Sequence, residues 1–168
     1  MRIIVNDSSV LIDLRKAGLL QVALRLPYAF QVALPLVQDE LLAFSATEIA
    51  ELEALGLEVV DLTGAQVGRA LALRGSRPTL SAHDCFTISL AESQPGAMIL
   101  TGDQALRAQS QALNIEVHGV LWVSDQLEHH ETCSAADLLA ALLVLQADPV
   151  VFLPSKELAM RIRSLQGK

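Results

Sequence analysis

Five short apolar stretches, each separated from the next by segments of helical character, limit what this chain can fold into more than any other feature. They are RIIVN (residues 2–6), FQVAL (30–34), LEVVDL (57–62), AMILT (97–101) and IEVH (115–118). Runs this short, rich in Val, Ile and Leu and lacking a clean polar alternation, read as strands buried on both faces. Helix signals fill the intervals. Asp7-Ser8-Ser9 opens a helix that Gly18 closes, residues 19–26 form a second helical piece stopped by Pro27, and Pro35 sits in the first turn of a helix over 36–44. Thr47 reads as the cap of a helix ended by Gly56, and residues 63–75 as another. Ser81 starts the helix that carries Asp84, Asp103 starts one reaching about residue 113, and helices over 120–130, 134–146 and 155–165 complete the chain. Strands alternating with helices predict an α/β fold, a parallel sheet with helices on both faces.

A chain of 168 residues suits one compact domain, here spanning 1–168, with residues 148–168 as a C-terminal helical tail beyond Asp148-Pro149. Apolar residues make up 52% and charged residues 18%, which argues against disorder. No apolar run approaches the ~18 residues of a membrane span, and the start MRIIVNDSS reads as a first strand rather than a signal peptide. A cytoplasmic location is therefore the expectation. Cys85 and Cys133 stand far apart with no CxxC, so zinc and a disulfide framework are poorly supported and two buried free thiols are expected. The net charge of −7 argues against a non-specific nucleic-acid coat but not against a nuclease with a metal-loaded acidic pocket.

In an open parallel sheet, ligands bind beyond the carboxyl ends of the strands. Asp7 directly follows the first strand, Asp103 follows the fourth by one glycine, Asp84 lies one turn inside the helix feeding the fourth, and Glu40 lies on the helix after the second. Four carboxylates can thus converge on one edge. Like charges ~4 Å apart repel by roughly 4 kcal/mol per pair at an effective dielectric near 20, so such a cluster needs protons or a cation. An all-oxygen set without Cys or His favours a hard ion, Mg²⁺ or Mn²⁺. Taken singly, Asp7, Asp84 and Asp103 also read as helix caps and Glu40 as a solvated helix acid.

NDSSVLIDL, LPLVQDELL, LSAHDCFTISLAE and ILTGDQALR, in this order, resemble the four acidic motifs of the PIN-domain nucleases, and more closely those of VapC-type toxins of prokaryotic toxin–antitoxin pairs. The resemblance covers about residues 2–130. HGVLWVSDQL and FLPSKELAMRIRSL also look like the tail of one bacterial subgroup. It implies a three-layer α/β/α sandwich around a central, mainly parallel five-stranded sheet. It implies a metal-dependent endoribonuclease acting on single-stranded RNA, with Mg²⁺ or Mn²⁺ held by Asp7, Glu40, Asp84 and Asp103. Thr101 matches a hydroxyl residue that orients a carboxylate or water two positions before the last acid. Asp39 adjoins Glu40, and the fit of VQDEL to a V-x-x-E-L pattern favours Glu40. A small cognate antitoxin is the partner implied, and the apolar helices at 18–26, 36–44 and 47–55 offer it a groove, or else serve as core or as a homodimer face.

Among the basic residues, Arg107, one turn past Asp103, is the best candidate for gripping substrate phosphate. His83 reads as exposed or core-adjacent rather than as a general base, and Trp122 as core. Two other readings compete. A phospho-accepting receiver domain would need a lysine after the fifth strand, and Lys16, Lys156 and Lys168 all lie elsewhere. A catalytically weak or inactive PIN-fold binding module remains the main alternative, since arginines are few.

Overall fold

The computed structural model describes every residue from Met1 to Lys168. In chain order the elements are β1 (Arg2–Asn6), α1 (Ser8–Lys16), α2 (Leu20–Ala23), β2 (Tyr28–Ala33), α3 (Leu34–Asp39), α4 (Ala46–Ala54) and β3 (Leu57–Val60). There follow α5 (Gly64–Ser76), α6 (Ala82–Glu92), β4 (Met98–Leu100), α7 (Gln104–Ala112), β5 (Glu116–His118), α8 (Val120–His129), α9 (Ala135–Ala147) and α10 (Ser155–Gln166).

The five strands form one sheet in the order β3-β2-β1-β4-β5, and every neighbouring pair is parallel. The chain therefore starts at the centre, winds outward through β2 to β3, then crosses back to lay β4 on the other side of β1. The strand order reverses between β1 and β4, and this is where a parallel sheet leaves a crevice at its carboxyl edge. The register sets Asn6 against Leu100, and the Asp7 amide extends the pairing by donating to the Leu100 carbonyl at 2.9 Å. The residues that follow β1 and β4 are thereby held side by side.

Helices cover both faces, giving the three-layer α/β/α sandwich. α3, α5 and α6 pack together with α6 against β1, β2 and β4, while α1, α2, α8, α9 and α10 form the opposite layer. The central strand explains its own sequence. Ile4, Val5 and Asn6 are all fully buried, so β1 has no solvent face on which polar residues could alternate. A single apolar cluster runs through both layers and takes in Leu158, Ile162 and Leu165 of α10. Burying those three side chains contributes about 5–9 kcal/mol before the entropy of ordering the segment is subtracted. Residues 148–168 thus share the common core.

Local chemistry sets several boundaries differently from the sequence reading. The α3 helix ends at Asp39, with Glu40 at its C-cap, instead of running to residue 44. Leu41 folds back to bond the Leu36 carbonyl, and Leu41 and Phe44 are buried from a loop, so the apolar pattern came from loop anchoring and not from a helix face. Ser45, not Thr47, caps α4, accepting a bond from the Glu48 amide at 3.1 Å. The second helical piece is a short helix of four residues followed by turns. Gly18, at φ 70, ends α1 in a conformation that only glycine adopts without strain. Cys85 is buried, but Cys133 is only partly so. Trp122 is also partly exposed, stacked on His118 with ring centroids 4.5 Å apart.

Candidate active site

Asp7 leaves the end of β1 as the N-cap residue of α1, yet its carboxylate makes no capping bond to the helix. Instead Oδ2 accepts from the Ser9 hydroxyl at 2.6 Å and from the Thr101 hydroxyl at 2.8 Å. Thr101 itself is fully buried just beyond β4 and accepts from the Asp103 amide at 2.9 Å. One hydroxyl thus fixes the carboxylate of the first strand and the backbone of the fourth. Ser9 makes a second tie, since its oxygen also accepts from the Gly102 amide at 3.0 Å. The crevice between β1 and β4 is closed by these two hydroxyls.

The other acids arrive from the surrounding helices. Asp103 is the N-cap of α7, with Oδ1 accepting from the Leu106 amide at 2.7 Å. Asp84 forms a reciprocal capping box at the start of α6. Its Oδ2 accepts from the Ser81 amide at 2.6 Å while its own amide donates to the Ser81 hydroxyl at 3.0 Å. Glu40 Oε2 accepts from the Ser8 hydroxyl at 2.6 Å, which bends the carboxylate toward α1 and beside Asp7. The cap readings of Asp84 and Asp103 are therefore correct, and they do not compete with a site. In each of Asp7, Asp84 and Asp103, one carboxylate oxygen is committed to the protein and the other has no protein partner. The committed oxygen fixes the orientation of the free one.

Electrostatics agree with convergence. Burial pushes the Asp7 carboxyl above its ordinary range. The hydroxyls of Ser9 and Thr101 pull it back in part, and the charge of Glu40 adds to the rise. Asp84 is also raised, chiefly by burial, with its capping bonds opposing and the charges of Asp7 and Asp103 adding. Four acids are thus linked by charge across the crevice, Glu40 through Asp7 and Asp103 through Asp84. Burial falls outward, from Asp7 at 5% exposure through half-buried Asp84 to exposed Asp103. No three acidic, histidine or cysteine side chains are gathered closely enough in this structure to hold an ion. The donor chemistry of these acids, oxygen alone, is that of a hard cation such as Mg²⁺, which takes few protein carboxylates and keeps several of its waters.

Three contributors escaped the sequence reading. Ser8 and Ser9 organise two of the carboxylates, and the only signal for them was their place directly after Asp7. His83 does not stand apart from the acids. Its Nδ1 lies 3.3 Å from Glu40 Oε1 and its Nε2 lies 2.9 Å from Asp39 Oδ2. The Nε2 contact is a hydrogen bond, and the Nδ1 contact is a close approach to Glu40. Asp39 and Glu40 thus diverge as expected, with Asp39 exposed outside His83 and Glu40 turned inward. Arg107 is occupied differently from the expectation of a free phosphate grip. Its guanidinium donates to the Thr101 carbonyl at 3.0 Å and the Val117 carbonyl at 3.3 Å, stapling the carboxyl ends of β4 and β5. Among the other arginines, Arg69 pairs with Glu92, and Arg74 bonds the Pro78 carbonyl.

A comparison with curated proteins finds no match for this chain. A family profile described as the PIN domain matches residues 3–166, nearly the whole length, and spans all four acids and both serines. PIN domains are generally nucleases that use divalent metals, and the five-stranded parallel sheet between helical layers is consistent with that fold. The chain belongs to the PIN-domain family.

Proposed function

We propose that this protein is an Mg²⁺- or Mn²⁺-dependent endoribonuclease that hydrolyses phosphodiester bonds of single-stranded RNA, and that it serves as the VapC-type toxin of a prokaryotic toxin–antitoxin pair. The observation that supports the enzymatic reading is that the charges of Asp7 and Asp103 both act on Asp84 beside the β1/β4 crevice, each acid having one anchored and one free carboxylate oxygen. Family membership supports the reaction class, and the toxin role rests on the motif likeness alone.

Asp7, Asp84 and Asp103 would hold the cation, with Glu40 at its margin. When bound, the ion would lower the pKa of a bound water and neutralise charge developing on the phosphate. The protein groups prepare that chemistry. Ser9 and Thr101 hold Asp7 in one rotamer, so no reorganisation is needed when substrate arrives. Ser8 and His83 fix Glu40 from opposite sides, leaving it placed to orient a water or receive a proton. The exposure of Asp103 leaves the outer side of the crevice open to a strand.

The test is cleavage of single-stranded RNA with Mg²⁺ or Mn²⁺ by the native chain and by Asp7→Asn. Metal-dependent cleavage that the substitution abolishes is expected, and full activity in the variant refutes the assignment. The second reading, an inert PIN-fold binding module, draws on the net charge of −7 and on the engagement of Arg107 with backbone. Calorimetry with Mn²⁺ separates the two, because an inert module binds no metal near millimolar concentration. For the toxin role, a cognate antitoxin in the cytoplasm is the partner expected. The apolar hollow formed by Val37, Leu41, Leu42, Phe44, Ala46 and Ile49, with Leu42 77% exposed, suits an antitoxin helix or a second copy of the chain.

A further inference from the structure

A cavity lies beside the acids and not over them. It measures about 460 Å³ and shares only Thr101 and Gly102 with the acidic crevice. That volume lies within the range of small-molecule sites. Its walls come from α1, the ends of β4 and β5, the start of α8 and the segment leading into α10. His118 and Trp122, stacked on each other with centroids 4.5 Å apart, both line it, as does Phe152, which is 87% exposed.

The charge of the cavity decides what kind of group fits. Asp13, Asp125 and Glu157 face it against Arg107 and Arg161. Arg161 is engaged by Asp125 through two bonds of 2.7 Å, and Arg107 by backbone carbonyls. The three carboxylates outnumber the two guanidiniums, and Arg161 is already paired with Asp125, so the cavity disfavours a phosphate but not a neutral aromatic ring. Asp13 differs from the other acids. It is half-buried and its carboxylate has neither a hydrogen bond nor an ion pair in the structure, although Lys16, which bonds Asp148, lies near it. Ionised, it accepts through two oxygens and donates nothing. Among the four RNA bases only guanine offers two adjacent donors, N1–H and the N2 amino group, on one edge. Single-stranded RNA is read in this way, by stacking on aromatic side chains and bonding along the Watson–Crick edge.

We infer that this cavity is a guanine subsite, in which Asp13 accepts from the N1–H and N2 amino donors of a guanine close to the phosphate held at the acidic crevice. The placement of that phosphate rests on the proposed ribonuclease function; the base-binding chemistry of the cavity does not. Asp13 is six residues beyond Asp7, about 9 Å along α1 at about 1.5 Å per residue, a nucleotide-scale reach. Asp13 is thus a specificity-determining residue, separate from the acids that hold the ion.

Trp122 is the only tryptophan in the chain and lines the cavity, so its fluorescence reports occupancy without metal or cleavage. The test titrates the native protein with the 5′-monophosphates of guanosine, adenosine, cytidine and uridine, and with inorganic phosphate and free arginine as controls. Saturable quenching by the guanosine nucleotide, at least tenfold tighter than by the other three, is expected. That preference should vanish in Asp13→Asn, and all nucleotides should bind more weakly to Phe152→Ala, whose exposed side chain can be removed without disturbing the core. Equal saturation by all four nucleotides, no saturation by any, or quenching by phosphate alone overturns the inference. Quenching by arginine but not by guanosine nucleotide also overturns it and assigns the cavity to a basic protein segment. Guanine preference in this assay together with Asp7-independent RNA cleavage would sink the nuclease reading while leaving the subsite standing. Asp7-dependent cleavage without guanine preference would do the reverse.

Discussion

Replacing Asp7 by Asn should make the metal-free protein more stable, the opposite of what a structural cap would do. Asp7 is 5% exposed, and burial is the main cause that raises its carboxyl pKa. The sign follows from proton linkage. Between the unfolded and the raised folded pKa, the native state binds more protons than the unfolded one, so stability falls as pH rises through that window. The penalty is present above the folded-state pKa and fades as pH falls through it. Desolvating a buried carboxylate costs several kcal/mol. Asparagine removes that cost and the repulsion from Glu40, and keeps an oxygen to accept from Ser9 and Thr101. Those two bonds become neutral and lose about 1 kcal/mol each. The net gain is about 2 kcal/mol, or roughly 4–8 °C in Tm for a chain of this size. Thermal unfolding in chelator at pH 7 measures it, and repeating the scan at falling pH should close the gap as native Asp7 takes up its proton. Adding Mn²⁺ should reverse the order, because only the native site gains fully from binding, about 2.7 kcal/mol at a hundredfold excess over Kd. An Asp7→Asn protein no more stable than the native one at pH 7 without metal would refute the picture of Asp7 as a strained, unneutralised acid.

Thr101→Val keeps the volume of a fully buried side chain but removes the hydroxyl between Asp7 and the Asp103 amide. It should cost about 2 kcal/mol, roughly 4–8 °C in Tm, and weaken Mn²⁺ binding measured by calorimetry. His83→Ala removes a partly exposed contact to Glu40, so stability should change by less than about 1 kcal/mol. The metal concentration giving half-maximal RNA cleavage should nonetheless rise several-fold, with His83→Gln restoring part of it; an unchanged metal dependence counts against a positioning role. Leu158→Ala, at a position 4% exposed in α10, should cost about 2–5 kcal/mol in urea unfolding with an unchanged m-value. A loss below about 0.5 kcal/mol would mean that α10 is a detachable appendage.

The sheet was legible because β1 and β4 carry no polar alternation, and that property follows from burial on both faces of a parallel sheet. The placement of Asp7 and Asp103 followed from one further rule, that ligands gather at the carboxyl edge where strand order reverses. What stayed hidden depends on partners far away in sequence. Nothing near Arg107 announces that its guanidinium will staple the Thr101 and Val117 carbonyls, because that contact exists only after β4 and β5 pair. His83 was read from its helix alone, and the acids that claim it belong to α3 and its C-cap. The early end of α3 escaped for the same reason. Leu41 and Phe44 look like a helix face, but the burial they satisfy is that of a loop folding back on Leu36.

The sharpest tension in the sequence was between cap and ligand for the same acids, and the structure removes the opposition. A carboxylate has two oxygens, and a helix N-terminus needs only one. Asp84 and Asp103 give one oxygen to Ser81 and Leu106 and keep the other free. The cap thereby acts as the rigid mount that a metal ligand requires, since an acid on a flexible side chain would lose entropy on binding that a capped one has already lost. Asp7 has no such cap, and two hydroxyls replace it. This difference makes a further distinction. Substituting Asp103 by Asn should be close to neutral for stability, because Asn caps as well as Asp, whereas Asp84→Asn, at a half-buried acid, should stabilise slightly and Asp7→Asn, at the most buried one, should stabilise most. All three should lose metal binding alike. Different stability effects with a common metal defect are what a site assembled from two caps and one buried acid requires. A site made only of caps would give three equal, small changes in stability and leave metal binding intact.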